Sequence, residues 1–174
     1  MKSPTDILSH LRDQIVERAI AAPRQAGDDS WQAVAFLAGD QKLLVNMQQV
    51  TEVVEIPAIT IIPGVQAWVA GIANVRGLIL PLIDLGLYLE SNPSQTKVRC
   101  HVITVERADT RFGLIVEQVV GMRQVSSEKI EDNKNQRGIE KYLSGEVEIA
   151  EETWQIFDTD KLMFSEKFHQ VATA

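Results

Sequence analysis

Cysteine is almost missing from this chain. Cys100 has no second cysteine to pair with, so no internal disulfide and no cysteine-based metal cluster is available. Histidine is also scarce. His10, His101 and His169 are scattered with no ligand-like spacing, and His101 between Cys100 and Val102 reads as a strand residue rather than a base. A Cys100 nucleophile would need an activating histidine that the pattern does not supply. There is no run of lysine or arginine, and 24 acids against 17 bases give a charge of −7, which argues against nucleic acid as a partner. No glycine-rich phosphate loop occurs, because Pro63-Gly64 and Arg76-Gly77 are turn dipeptides. The longest apolar run, Leu78 to Ile83, falls far short of the roughly 20 residues that cross a bilayer. Residues 1–22 are amphipathic and lack the continuous apolar core of a signal peptide. The expectation is a protein of the reducing cytoplasm, without membrane insertion, metal or cofactor.

What is present is apolar β-type sequence. The 174 residues are 45% hydrophobic, enough for one ordinary domain or two small halves sharing a core. The stretch from Gly71 to Leu85 is apolar nearly throughout, broken by Asn74, Arg76 and Gly77. Gly71, Gly77 and Pro81 count against a helix, so it reads as a buried β-hairpin turning at Arg76-Gly77. Its aliphatic residues are expected in the core, and Asp84 is expected to cap a short helix over 85–89. Arg76 is the residue a buried hairpin does not explain.

Around this hairpin the chain divides in order. Ser3-Pro4-Thr5-Asp6 opens an amphipathic helix whose apolar face carries Ile7, Leu8, Leu11, Ile15, Ala19 and Ala22. A polar linker over 23–30 follows. Strands are expected over 32–38 and 41–46 about the Gly39-Asp40 turn, then over 51–55 and 59–62. After a second linker over 90–96, strands are expected over 97–106, 111–116 and 119–125. The polar segment 126–138 reads as an exposed loop. A last hairpin over 142–149 and 153–157 leads to Asp158, which caps a final helix running to Phe168.

The two halves repeat one another. The segment from Lys42 through Val53 aligns with that from Arg111 through Met122, with Val50 and Val119 standing 69 positions apart. Ile83-Asp84-Leu85 aligns with Phe157-Asp158-Thr159, 74 positions on, and Gly71 and Gly145 open the closing hairpins. About five short strands per half suit a small closed barrel filled by side chains. A cleft between two such barrels would be the main concave surface. Asp84 and Asp158 then read as matched helix caps rather than as paired catalytic carboxylates.

The central motif carries a family resemblance. Val50-Thr51-Glu52-Val53, Ile61-Ile62-Pro63-Gly64, Gly71-Ile72-Ala73-Asn74-Val75-Arg76-Gly77 and Leu80-Pro81-Leu82-Ile83-Asp84-Leu85 together resemble the CheW-like coupling domain of bacterial chemosensory systems. Phe112 to Val119 and Tyr142 to Gly145 are similar to that family's later strands. The likeness covers about 32–163, and the N-terminal helix resembles the extension of the version attached to type IV pilus twitching clusters. The resemblance implies a mainly β fold: two five-stranded SH3-like barrels related by a pseudo-twofold axis, with an N-terminal amphipathic helix and linker over 1–30 and a CheW-like domain over 31–168. The first barrel is expected at about 41–90 and the second at about 97–157, completed by strand 32–38 and helix 159–168. It further implies a non-enzymatic adaptor between the cytoplasmic tip of a methyl-accepting chemoreceptor and a CheA-like histidine kinase, placed at membrane-associated receptor arrays and acting on twitching motility. By residue match, Glu52 and Arg76 fall at polar interaction positions, and Val50, Gly71 and Asn74 complete the candidate set. Gly86 stands where members of the family often carry arginine. The alternative is a small-molecule sensor or hydrolase using the cleft between the barrels.

Overall fold

The computed structural model describes residues 29–91, 101–107, 109–132 and 137–172. The expected N-terminal helix, most of both linkers and Cys100 lie outside them. The described chain is mainly β: β1 (Ser30–Ala38), β2 (Gln41–Asn46), β3 (Val50–Glu55), β4 (Ile59–Thr60), β5 (Val69–Val75), β6 (Leu78–Asp84), β7 (His101–Arg107), β8 (Thr110–Val116), β9 (Gln118–Ser126), β10 (Glu131–Asp132), β11 (Leu143–Ile149) and β12 (Glu152–Phe157). They form two six-stranded sheets, ordered β3-β7-β8-β6-β5-β4 and β10-β11-β12-β2-β1-β9. Six strands per sheet replace the expected five.

The sheets do not divide the chain at the linker. The β7–β8 hairpin of the second half completes the first sheet, and β1–β2 of the first half completes the second. Residues 41–90 and 97–157 are therefore not separate units, because each lends a hairpin to the other. Each lent hairpin joins its host through a parallel ladder: β6 to β8 with Leu82 opposite Gly113, and β12 to β2 with Ile156 opposite Leu44. These are one pairing seen twice. Leu44 precedes Gly113 by the 69-residue offset, and Leu82 precedes Ile156 by the 74-residue offset. The bulges match as well. Thr51 is the extra residue between Val50 and Glu52 against β7, and Val120 is the extra residue between Val119 and Gly121 against β1, again 69 positions apart.

Strand pleating explains why the sequence is so continuously apolar. Successive side chains point to opposite faces, and in β1, β2, β7 and β8 both faces are buried. Ala33, Ala35, Leu44, Val125, Trp154 and Ile156 fill a core enclosed by the second sheet alone. Ala73, Leu82, Val102 and Ile115 do the same inside the first sheet. The alternate residues, among them Val34, Phe36, Leu43, Ile83, Ile103, Leu114 and Phe157, meet in one large core between the sheets. The space expected to be a cleft is thus filled with side chains. Each sheet curls round its own small core, yet among the described residues no ladder joins its two outer strands.

Two glycines hold matching places. A Cβ on Gly71, whose φ is +139°, would run into the carbonyl oxygen of Thr60, and one on Gly145 would stand 2.7 Å from that of Glu131. Each glycine lets a two-residue edge strand lie close over the closing hairpin. The Asp caps also repeat. Asp84 Oδ1 accepts the Leu87 N–H at 3.0 Å, and Asp158 Oδ1 accepts those of Asp160 and Lys161 at 2.9 and 3.1 Å. The helix after Asp84 spans Leu85–Tyr88.

The C-terminal segment departs from the single expected helix. It forms two short helices, Thr159–Met163 and Glu166–His169, because Ser165 caps the second by accepting from the Phe168 N–H. The polar segment after β9 likewise contains the two-residue β10, too short to show in the sequence pattern. The tail crosses the shared core: Phe168 packs on Phe112, the Ser165 and Tyr88 hydroxyls hydrogen-bond at 2.7 Å, and Gln66 donates its backbone N–H to Val171. Tyr88 is fully buried, edge-on to Trp68, and burial pushes its hydroxyl pKa far up. Arg107 on β7 grips Asp160 with two hydrogen bonds of 2.8 and 2.6 Å, tying the first sheet to the helix that follows the second.

Gly71→Ala should destabilise the fold by about 1–3 kcal/mol from backbone strain alone, with the Thr60 collision added, as read by urea unfolding. The Arg107 guanidinium holds the Asp160 carboxyl below its ordinary range by hydrogen bonding. Its contribution is therefore present above the unfolded carboxyl pKa of about 3.9 and lost as pH falls through the lower folded value. Asp160→Asn should be less stable than the parent at pH 7, and the difference should vanish on acidification.

Candidate interaction surface

The β5–β6 turn is a two-residue hairpin whose central residues both take positive φ, Arg76 at 49° and Gly77 at 89°. Such a turn matches the twist of its strands. Asn74 holds it shut, its side-chain oxygen accepting the Gly77 N–H at 2.7 Å. The counterpart β11–β12 turn has the same hand, with Ala150 at 53° and Glu151 at 64°.

Glu52 lies on β3, just past the Thr51 bulge. Its backbone is fixed from both sides by the buried Thr104 hydroxyl, which accepts from the Glu52 N–H at 3.0 Å and donates to the Glu52 carbonyl at 3.2 Å. Its carboxylate meets the Arg76 guanidinium at 2.6 Å, with the glutamate side chain 24% and the arginine 62% exposed. β3 is one edge of the first sheet and β5 lies next to the other. The pair therefore bridges the seam where the curled sheet's ends approach. The repeat sets Gly121 in the place of Glu52 and Ala150 in the place of Arg76, so the second sheet keeps the same turn without the ion pair. The scaffold does not require the pair.

Exposed aliphatics lie on or beside the same sheet. Ile61 is 80% exposed, Ile79 63% and Leu78 47%, with Ile56 and Val53 also on the surface. Ile79 stands opposite Asn74 on the outward face of the hairpin. The expectation that all the hairpin's aliphatics are core fails at Leu78 and Ile79, where the strands run past the cover of β8. Their counterparts, Glu152 and Thr153, are polar. These exposed aliphatics make the face a candidate contact surface, and their departure from the repeat is the signal that singles them out.

The remaining candidates have other duties. Val50 is half-buried against the shared core, and Gly71 is buried beneath β4. A Cβ on Gly86 would meet the Asp84 carboxylate at 3.4 Å and the Gly39 nitrogen at 3.6 Å, ordinary contact distances, so packing does not demand glycine there. His101 sits at the start of β7 opposite Glu55, its Nδ1 buried without a partner, and His169 closes the last helix. Among the described residues, no three His, Cys, Asp or Glu side chains converge to hold a metal. None of their helices is long and apolar enough to cross a membrane. Two surface depressions among the described residues lie elsewhere, one among Lys141, Lys161 and Lys167 and the other over Glu131, Glu146 and Glu148.

Residues 32–167 match the CheW-like domain. This chain belongs to that family. It is 30% identical to Protein PilI of Pseudomonas aeruginosa over 99% of this chain and 98% of that protein. It is 35% identical to Chemotaxis protein CheW of Rhizobium meliloti, over 56% of this chain and 63% of that one. The fold is similar to the scaffolding protein TtCheW from Thermoanaerobacter tengcongensis, with a TM-score of 0.70 and 25% identity over 79% of this chain and 94% of that one. The PilI likeness runs through the N-terminal segment that precedes the CheW-like domain.

An ion pair this exposed contributes about 0–1 kcal/mol. Arg76→Ala, Glu52→Ala and their combination should each unfold within about 1 kcal/mol of the parent in a urea double-mutant cycle, with unchanged circular dichroism.

Proposed function

We propose that this CheW-like protein is a non-catalytic adaptor that holds a CheA-like histidine kinase to the cytoplasmic tip of a methyl-accepting chemoreceptor. The site is the seam of the first sheet: Glu52, Asn74 and Arg76, shaped by Val50 and Gly71, with Leu78 and Ile79 exposed on the same hairpin and Ile61 exposed just after β4. The observation that carries this reading is the asymmetry of the repeat. The fold builds this place twice, and only the first copy has the ion pair and exposed aliphatics on its closing hairpin. Neither addition is needed for folding, so a partner is the physical reason for both. Apolar contact supplies affinity, and the fixed charge pair supplies orientation and selectivity. Each contact would be modest, and an extended receptor array would gain its strength from repetition. Likeness to PilI along the whole chain supports placing that array at the type IV pilus, in control of twitching motility.

Arg76→Glu should keep its fold by circular dichroism and lose capture of the purified kinase or the receptor tip fragment by at least about tenfold, the scale of one buried charged contact. Unchanged capture of both partners by the folded variant would remove Arg76 from the site.

A further inference from the structure

We propose a second site, unrelated to the first-sheet seam: a pocket for a small, multiply charged phosphate anion at the C-terminal helices. Lys141 from the turn before β11, Lys161 from the Thr159–Met163 helix and Lys167 from the Glu166–His169 helix border one depression of about 430 Å³. Glu166 is the sole acid on its wall among the described residues. In a chain of net charge −7, three ammonium groups from three separate elements around one hollow are an unusual concentration. Glu90 offsets part of this charge by pairing with Lys167, and an anion in the hollow would meet the ammonium charge that remains.

The heads are held in place. Lys161 Nζ donates to the Leu143 carbonyl at 2.7 Å, one of its three donors. Lys167 Nζ donates to the Tyr88 carbonyl and to Glu90, each at 2.7 Å, and lies 4.9 Å from the centre of the Tyr88 ring. Lys141 Nζ sits 4.8 Å from the centre of the Tyr142 ring. Pinned amines lose less side-chain freedom on binding than mobile ones.

The repeat supplies the independent argument. Counting 74 residues back, Lys141 becomes Ala67 and Lys161 becomes Leu87. Where the described residues repeat, at the turn before the closing hairpin and at the Asp-capped helix, these cations occupy only the second copy. Helix capping and core packing proceed without them in the first half, so the repeat does not demand them, although Lys161 here also satisfies the Leu143 carbonyl. A pocket of this size with three cationic donors suits a di- or triphosphate group better than a single carboxylate.

The test is calorimetric titration of the full chain with sodium tripolyphosphate at physiological salt, about 0.15 M. Saturable one-site binding is expected. Lys141→Glu should weaken it by about tenfold or more, and Lys129→Glu, in the other depression, should leave it unchanged, both variants checked by circular dichroism. Hexaglutamate is the parallel probe. Absence of binding, equal weakening by the two variants, or hexaglutamate binding as tightly as tripolyphosphate would each overturn the phosphate assignment.

Discussion

The structure depends on the burial of both faces of its inner strands β1, β2, β7 and β8. A sheet with one wet face would alternate apolar and polar residues. Here Ala33 and Ala35 face one core while Val34 and Phe36 face another, and Leu44 is flanked by Leu43 and Val45 in the same way. Three cores result, two enclosed by single sheets and one shared. The shared core is what makes the halves inseparable, since each sheet supplies one wall of it. Tyr88, Tyr142, Phe168 and the tail seal its edge.

The same constraint accounts for what could be read from the sequence. The hairpin turns at Gly39-Asp40 and Arg76-Gly77, the Asp84 and Asp158 caps and both repeat offsets were legible because each is set by local chemistry or by simple counting. Pairing between distant strands was not, because residue order does not say which sheet a hairpin joins. Assigning 41–90 and 97–157 to separate barrels follows naturally from sequence and is undone by the β7–β8 and β1–β2 exchange. β10 escaped because two residues carry no periodicity, and the break in the last helix escaped because Ser165 is an ordinary residue until its hydroxyl is seen accepting the Phe168 N–H.

The candidate site shows the same limit. Glu52 and Arg76 stand out in the sequence as polar residues in apolar surroundings, and the structure adds that they meet each other across a seam. The exposure of Ile61, Leu78 and Ile79 was hidden, since an exposed isoleucine and a buried one look alike in sequence. Only comparison of the two copies separates them. Where both copies carry the same feature, as at Gly71 and Gly145, the fold demands it. Where they differ, the fold does not dictate the residue.

The exchanged hairpins also bear on ancestry. A unit that always gives its first hairpin to its neighbour and receives one in return has the arrangement of a strand-swapped homodimer. Joined end to end by duplication, two such subunits become one polypeptide with no change in pairing. Fusion lifts the requirement that both copies be identical, so one could evolve a greasy face and the other a cationic corner on a framework neither has to maintain alone.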